Sequence, residues 1–398
     1  MGTIGIFHGK HLLILSFANW PDVWLDNIRR RFPRLEITCL QIDTSKPIEE
    51  SVPSDLLKRA TVIAISTQRH LPLPESVPKY SLPTLTDLIH TFSAGADGLI
   101  NEPYITDTDL PLTTSSGIHG PPISEWVLLN WLVNSKHYNS LYEGQKRHEW
   151  ISRKYASVRQ SDHAGKKVAI LGYGSIGRQI GRIATALGAK VYAYTASAKP
   201  TPESRRDKGY IVPGTGDPDG SLPVAWHHGT TKAELRQFLR DTKPDHVVIS
   251  LPLTAATYRL FDAGEFEVWS DALSSSSTPS SLTTAEEEDG EGEGEERKFP
   301  PRKGFLTNIS RGKIVNTDAL ITALEKGQIR GAALDVTDPE PLPADHPLWD
   351  AENVQISPHI SWSGQEYFVR ALEVLQLNLE RLETGGKLVN LFHRRRGY

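Results

Sequence analysis

Cysteine and methionine are almost missing from this sequence: 398 residues contain one of each, Cys39 and Met1. A single thiol excludes an internal disulfide framework and any cysteine-rich zinc site, and it fits a reducing compartment. Long hydrophobic runs are missing too. Leu12 to Phe17 is far shorter than the ~20 residues that span a bilayer, and no basic n-region or small-residue cleavage site accompanies it. Neither membrane insertion nor export is expected, and a cytoplasmic location follows by elimination. No charge sign dominates. Lys and Arg number 44 against 48 Asp and Glu, a net −4, which gives no general electrostatic pull toward nucleic acid or anionic lipid. The small excess is local: eight acidic residues lie between Glu286 and Glu296, and the remainder carries 44 cations against 40 anions.

At 38% hydrophobic and 23% charged residues the chain is expected to fold, and 398 residues suit two domains. From the amino terminus, apolar runs alternate with amphipathic stretches: Leu12 to Phe17, Val23 to Arg31, Leu35 to Ile42, Pro53 to Lys58 and Thr61 to Ser66. That rhythm predicts β-α-β-α-β. Leu85 to His90 then leads into Ser93-Ala94-Gly95-Ala96-Asp97, whose small residues let backbone amides approach a ligand closely. An ordinary tight loop is the alternative. Pro121 and Pro122 suit the first turn of a buried helix over Ile123 to Val133, read as a connector between domains. Pro200 to Gly220 reads as a surface loop. His246 to Leu251, Phe305 to Ile309, Ala332 to Val336 and Val354 to Ser357 read as further strands, and Gln365 to Leu382 as a helix with Phe368, Leu372, Leu375 and Leu379 on one face. Ser274 to Ser281 and the acidic stretch after it have little to bury, so 272–299 reads as a disordered loop insertion.

Val168-Ala169-Ile170-Leu171 runs into Gly172-Tyr173-Gly174-Ser175-Ile176-Gly177, followed by apolar residues at helical spacing and a second strand, Val191 to Tyr194. In that setting G-x-G-x-x-G is a dinucleotide fingerprint. The first glycine makes the tight turn, the second lets amides reach a pyrophosphate, the third packs helix on strand, and the amides at Ser175 and Ile176 open the helix toward the anion. A carboxylate about 20 residues on normally receives the ribose of NAD. Here Thr195 stands at the strand end, with Ser197, Lys199 and Arg205 after it. A neutral position beside cations suits a 2′-phosphate, so NADP(H) is the preferred cofactor, with NAD(H) left open because neutral residues tolerate it.

Arg311, Glu340 and His359 each follow a strand-like run, where ligands gather on open parallel sheets. A guanidinium at 311 can hold a carboxylate and polarise a ketone. Glu340 lies between Pro339 and Pro341, which stiffen it. A carboxylate on one imidazole nitrogen sets the tautomer and stabilises imidazolium, leaving the other nitrogen to exchange a proton. No metal site is expected.

Together these segments resemble the D-isomer-specific 2-hydroxyacid dehydrogenases, in particular glyoxylate/hydroxypyruvate reductase-like members. Gly165 through Gly177, Asn308 through Val315, Gly331 through Pro341 and Ser357-Pro358-His359 carry the resemblance, with Ser93 to Asp97 and the Pro-led helix matching in the amino-terminal half. The resemblance implies an α/β protein of two Rossmann-like or flavodoxin-like domains with parallel sheets and an interdomain active-site cleft. A substrate domain would comprise 1–118 and 365–398, and a dinucleotide domain 119–364. It implies that Arg311 binds substrate, that His359 touches substrate as acid/base paired to Glu340, and that amides around Ala94 and Gly95 hold the substrate carboxylate. Asp335 would meet the nicotinamide end of the cofactor, with Leu251, Pro252 and Ile309 lining its site. The reaction implied interconverts 2-oxo acids and D-2-hydroxy acids in a homodimer. Thr195, the insertion after Leu273 and the bulky Trp362 depart from the family pattern. Trp362 would shape the substrate pocket or pack between domains or subunits. The alternative function is a nucleotide-sensing corepressor-like scaffold that uses the acidic segment as an arm.

Overall fold

His11–Ser16 is buried at all six positions, as a strand covered on both faces must be, and such runs read as continuous hydrophobic stretches in parallel sheets. The computed structural model describes residues 7–17, 20–43, 46, 48–66, 87–96, 99, 102–152, 160–275 and 302–394. The chain divides into two units, Met1–Pro121 with Lys208–Thr215 and Trp362–Tyr398, and Pro122–Asp207 with Gly216–Ser361.

In the first unit, β1 (His11–Ser16), β2 (Glu36–Gln41), β3 (Val62–Ile65), β4 (Leu88–Thr91) and β5 (Leu112–Thr114) form one sheet in the order β2-β1-β3-β4-β5, all parallel. This is the flavodoxin-like order. Alternate residues of β1 serve opposite faces. Leu12 and Ile14 join Trp20, Ile28 and the Leu372, Leu375 and Leu379 ridge of the Tyr367–Thr384 helix, while Leu13 and Leu15 join Val52, Leu57 and Ile105. The Tyr367–Thr384 helix therefore contributes to the core on one face of this sheet.

The second unit carries β6 (Lys167–Leu171), β7 (Lys190–Thr195), β8 (Ala225–His228), β9 (His246–Ile249), β10 (Gly304–Asn308), β11 (Ile329–Leu334) and β12 (Val354–Ile356), in the order β12-β11-β10-β9-β6-β7-β8, all parallel. Strand order reverses between β6 and β9, the position at which doubly wound sheets take their ligands. No helix among the described residues is long and apolar enough to cross a membrane.

Four local expectations change. The Pro-led helix runs Gly120–Ser135 and buries Ile123, Val127 and Trp131, but Leu129 is 59% exposed, so it is buried on one face only. Pro200 to Gly220 is not a plain surface loop: Asp217 is buried, and 208–215 belong to the first unit, where Tyr210 packs on the core and its amide donates to Asn390 Oδ1 at 3.3 Å. Gly117 permits this approach, because a Cβ there would strike the Tyr210 carbonyl. Ala272 and Leu273, expected in the insertion, close the helix Ala263–Ser274 and are buried. Finally, β11 stops at Leu334, two residues short of Val336. The rest of the expected insertion, from 276 to 299, and Asp97 lie outside the described residues.

Candidate active site

β6 delivers the chain into the three glycines, and the structure separates their tasks. Gly172 has φ +96°, a conformation side chains oppose, and a Cβ there would run into the Ser250 carbonyl at the end of β9. A Cβ on Gly177 would run into the Gly172 carbonyl and approach Ile170 Cγ2 at 3.1 Å. Gly174 differs: a Cβ there would meet nothing within 4 Å. Packing thus requires the outer two glycines, while the middle one leaves room at the start of the Ser175–Ala186 helix. The first-turn amides of a helix have no intrahelical acceptor, so Ser175 and Ile176 present donors where a pyrophosphate would lie. These residues fit a dinucleotide.

The neighbouring strand ends are tied together. Ser310 Oγ donates to the Ile249 carbonyl at 2.9 Å and accepts from the Leu251 amide at 2.8 Å. This clip sits next to the buried Ile309 and the exposed Pro252. Ser310 was not among the expected site residues; its signal was only that it precedes Arg311.

On the other side of β10, Glu340 and His359 meet, with Oε1 to Nδ1 at 2.8 Å. A carboxylate can only accept, so Nδ1 carries the hydrogen of this contact. Both prolyl bonds flanking Glu340, at Pro339 and Pro341, are cis. His359 has φ +57°, and its amide donates to the Asp335 carbonyl at 2.8 Å.

Asp335 holds that conformation. Its Oδ1 accepts from the Ile360 amide at 2.9 Å, the Ser361 amide at 3.1 Å and Ser357 Oγ, and its Oδ2 accepts from the Ser361 amide at 3.1 Å and Ser361 Oγ. Asp335, expected to meet the nicotinamide, is 1% exposed, and both of its oxygens accept from the histidine loop. Arg311, half-buried, donates from Nη1 to the Ser310 carbonyl at 2.8 Å, and Asn308 Nδ2 donates to the Arg311 carbonyl at 3.1 Å. A Cβ on Gly312 would strike the Thr337 carbonyl, so the arginine turn packs against the segment leading to Glu340. Among the described residues no group of three His, Cys, Asp or Glu side chains could hold a metal ion.

Residues 128–212 and 297–361 match the profile of the NAD binding domain of D-isomer specific 2-hydroxyacid dehydrogenases. A solved family protein from Aeromonas salmonicida is 26% identical and superposes with a TM-score of 0.68, covering 97% of this chain and 99% of that one. This chain belongs to the D-isomer specific 2-hydroxyacid dehydrogenase family. Curated relatives include a hydroxypyruvate reductase from Blautia hydrogenotrophica, 27% identical over 65% of this chain and 63% of its own length. A glyoxylate reductase from Thermococcus kodakarensis is 26% identical over 71% of this chain and 67% of its own length. The chain is accordingly a nicotinamide-dependent 2-hydroxyacid dehydrogenase.

In this dehydrogenase the turn after β7 is folded on itself. Thr195 Oγ1 donates to the Ser197 carbonyl at 2.9 Å, and Arg205 Nε donates to the Lys199 carbonyl at 2.9 Å. Ser197 is exposed and Lys199 half-buried. Arg205 therefore shapes the loop with its own guanidinium, a task the sequence pattern did not reveal.

In the first unit, the expected substrate loop is built from below. Ser93, buried, joins Thr91 Oγ1 at 2.8 Å, and the Ser115 amide donates to the Ser93 carbonyl at 2.9 Å. His90 is wedged between Thr113 Oγ1 at 2.8 Å and Ser115 Oγ at 3.0 Å, where burial pushes its pKa down to about 3 and keeps it neutral. Tyr367 OH donates to the Phe92 carbonyl, while His119 Nε2 lies 3.4 Å from that hydroxyl. Trp362 packs on Tyr367 with ring centroids 4.8 Å apart. On this support Ala94 is exposed and Gly95 half-buried.

Proposed function

We propose that this dehydrogenase reduces a small 2-oxo acid to the D-2-hydroxy acid, with NADPH as the preferred reductant. The observation that carries the reading is the Glu340–His359 pair, held 2.8 Å apart on the same sheet edge as Arg311 and the glycine loop. When bound, the nicotinamide supplies the hydride that C2 of the acid accepts. Arg311 holds the carboxylate and stabilises the negative charge growing on the carbonyl oxygen. His359, protonated, gives that oxygen the proton from Nε2, while Glu340 compensates the imidazolium. One hydride and one proton convert C=O to CH–OH. Oxidation runs the same path with neutral His359 as base, so the two directions depend oppositely on pH. We assign the amides at Ala94 and Gly95 to the substrate carboxylate.

NADPH is favoured because no carboxylate occurs between Thr195 and Pro202, while Ser197 and Lys199 do. A homodimer is the assembly we assign. Leu129, 59% exposed, and Leu132 lie on the Gly120–Ser135 helix, followed by stacked Tyr138 and Tyr142 and by Trp150, 89% exposed. An apolar stripe of this kind on a soluble enzyme marks an interface. Leu129→Asp should convert a dimer to monomers in sedimentation; a wild-type monomer rejects the assignment. A cytoplasmic location completes the proposal.

The activity is tested by following NADPH and NADH oxidation across a panel of 2-oxo acids led by glyoxylate and hydroxypyruvate. Turnover that Arg311→Ala abolishes, faster with NADPH, is expected. Faster turnover with NADH overturns the cofactor preference alone, and no turnover with either overturns the reductase.

A further inference from the structure

Arg178 directly follows the last glycine of the fingerprint, yet it is only 5% exposed. Its guanidinium is inside the loop that joins β7 to β8. Nη1 donates to the Asp217 carbonyl and Nη2 to the Arg205 carbonyl, Nε lies 3.4 Å from Asp207 Oδ2, and the plane packs over Tyr173 at 5.4 Å and Trp226 at 5.9 Å. The same loop is pinned from the glycine turn itself: Tyr173 OH donates to Asp217 Oδ2 at 3.0 Å, and Asp217 also receives the Ser221 and Leu222 amides. Gly220, at φ +68°, lies so close that a Cβ would stand 2.5 Å from the Arg205 carbonyl oxygen. Arg205 then closes the near end by donating to Lys199 and Pro200 carbonyls.

We propose that Arg178 is the positioning residue of the cofactor-selecting loop: through the Arg205 and Asp217 carbonyls it holds Ser197 and Lys199 where the 2′-phosphate of NADPH is received. The proposal deepens the NADPH reading and rests on it. A guanidinium reaches two carbonyls with one rigid fork, which an ammonium does not. Without the fork the loop samples other conformations, and apparent affinity falls with the fraction that remains competent. NADH has no 2′-phosphate to lose contact with Lys199, and the reacting groups stand on β10 to β12, across the switch point from β7.

Two variants reach the same carbonyl from opposite sides, Arg178→Lys and Gly220→Ala. Each should raise the KM for NADPH roughly ten-fold, leave the KM for NADH and both kcat values within about two-fold, and weaken 2′,5′-ADP binding while leaving 5′-AMP unchanged. Lys199→Ala should cause the same loss, and adding Arg178→Lys to it should cost little more. An equal rise in both KM values, or a fall in kcat with both cofactors, assigns Arg178 a merely structural role and overturns the proposal. So does unchanged selectivity in both folded variants. A wild-type protein that binds 2′,5′-ADP no better than 5′-AMP overturns the NADPH reading and the proposal with it.

Discussion

Oε1 of Glu340 stands 2.8 Å from Nδ1 of His359, although 19 residues separate them in sequence. Glu340→Gln keeps a hydrogen-bonding group at this place and removes its charge. We expect kcat for reduction to fall roughly 10- to 100-fold, and His359→Ala to lower it by about 10²–10⁴-fold. The double variant should be little worse than His359→Ala alone, since the two act as one unit. Steady-state rates under saturating cofactor decide; multiplicative losses would dissolve the pair.

Asp335 gathers four donors from Ser357, Ile360 and Ser361, the Ser361 amide reaching both of its oxygens. Asp335→Ala leaves those donors, buried at Ser361, without an acceptor and should cost about 3–5 kcal/mol of stability, whereas Ser357→Ala should cost about 1 kcal/mol. Urea unfolding reads both. Asp335→Asn should lower kcat more than it raises cofactor KM, because it frees the histidine loop; a pure cofactor effect would assign Asp335 to the nicotinamide instead.

The glycine turn invites a contrast. Gly172→Ala places a side chain at φ +96° against the Ser250 carbonyl and should destabilise the fold. Gly174 has φ −87° and ψ −158°, which any residue adopts, and open space beyond it. Gly174→Val should therefore melt like the wild type yet bind nucleotide poorly, by calorimetry. Equal affinity would place the pyrophosphate elsewhere.

Burial keeps His90 neutral in the folded chain down to about pH 3, against 6.5 for an ordinary histidine. Between those values the unfolded chain binds the extra proton, so stability falls as pH drops below about 6.5. His246 shifts the same way, by burial and by the nearby Arg330 and His163. For His90 alone the loss reaches about 2 kcal/mol by pH 5. His90→Gln should flatten the fall in Tm between pH 7 and pH 5; parallel curves would exclude the mechanism.

Much of the fold was legible. The apolar runs at 12–17, 35–42, 61–66, 246–251 and 305–309 all became strands; burial on both faces demands continuous hydrophobic sequence in all but the partly exposed edge strand at 36–41. β5 and β8 were not legible: Leu112–Thr114 has three residues, and Ala225–His228 is an edge strand rich in polar tips. Such strands exist because a neighbour offers hydrogen bonds. The second unit's loan of 208–215 to the first was equally invisible, since Tyr210 becomes a core residue only where Gly117 and Asn390 wait for it.

The sequence by itself determined the glycine turn, the helix that follows it, the alternation of strands and helices, and the three side chains, Arg311, Glu340 and His359, to which the proposed chemistry is assigned. Those are decided within a few residues by backbone freedom, hydrophobic period and proline. Only the tertiary structure decided what the buried charges do. A carboxylate such as Asp335 or a guanidinium such as Arg178 must find its partners or not be buried, and those partners arrive from residues 357–361 and 205–217. Their identity is a property of the folded neighbourhood, which no local pattern encodes.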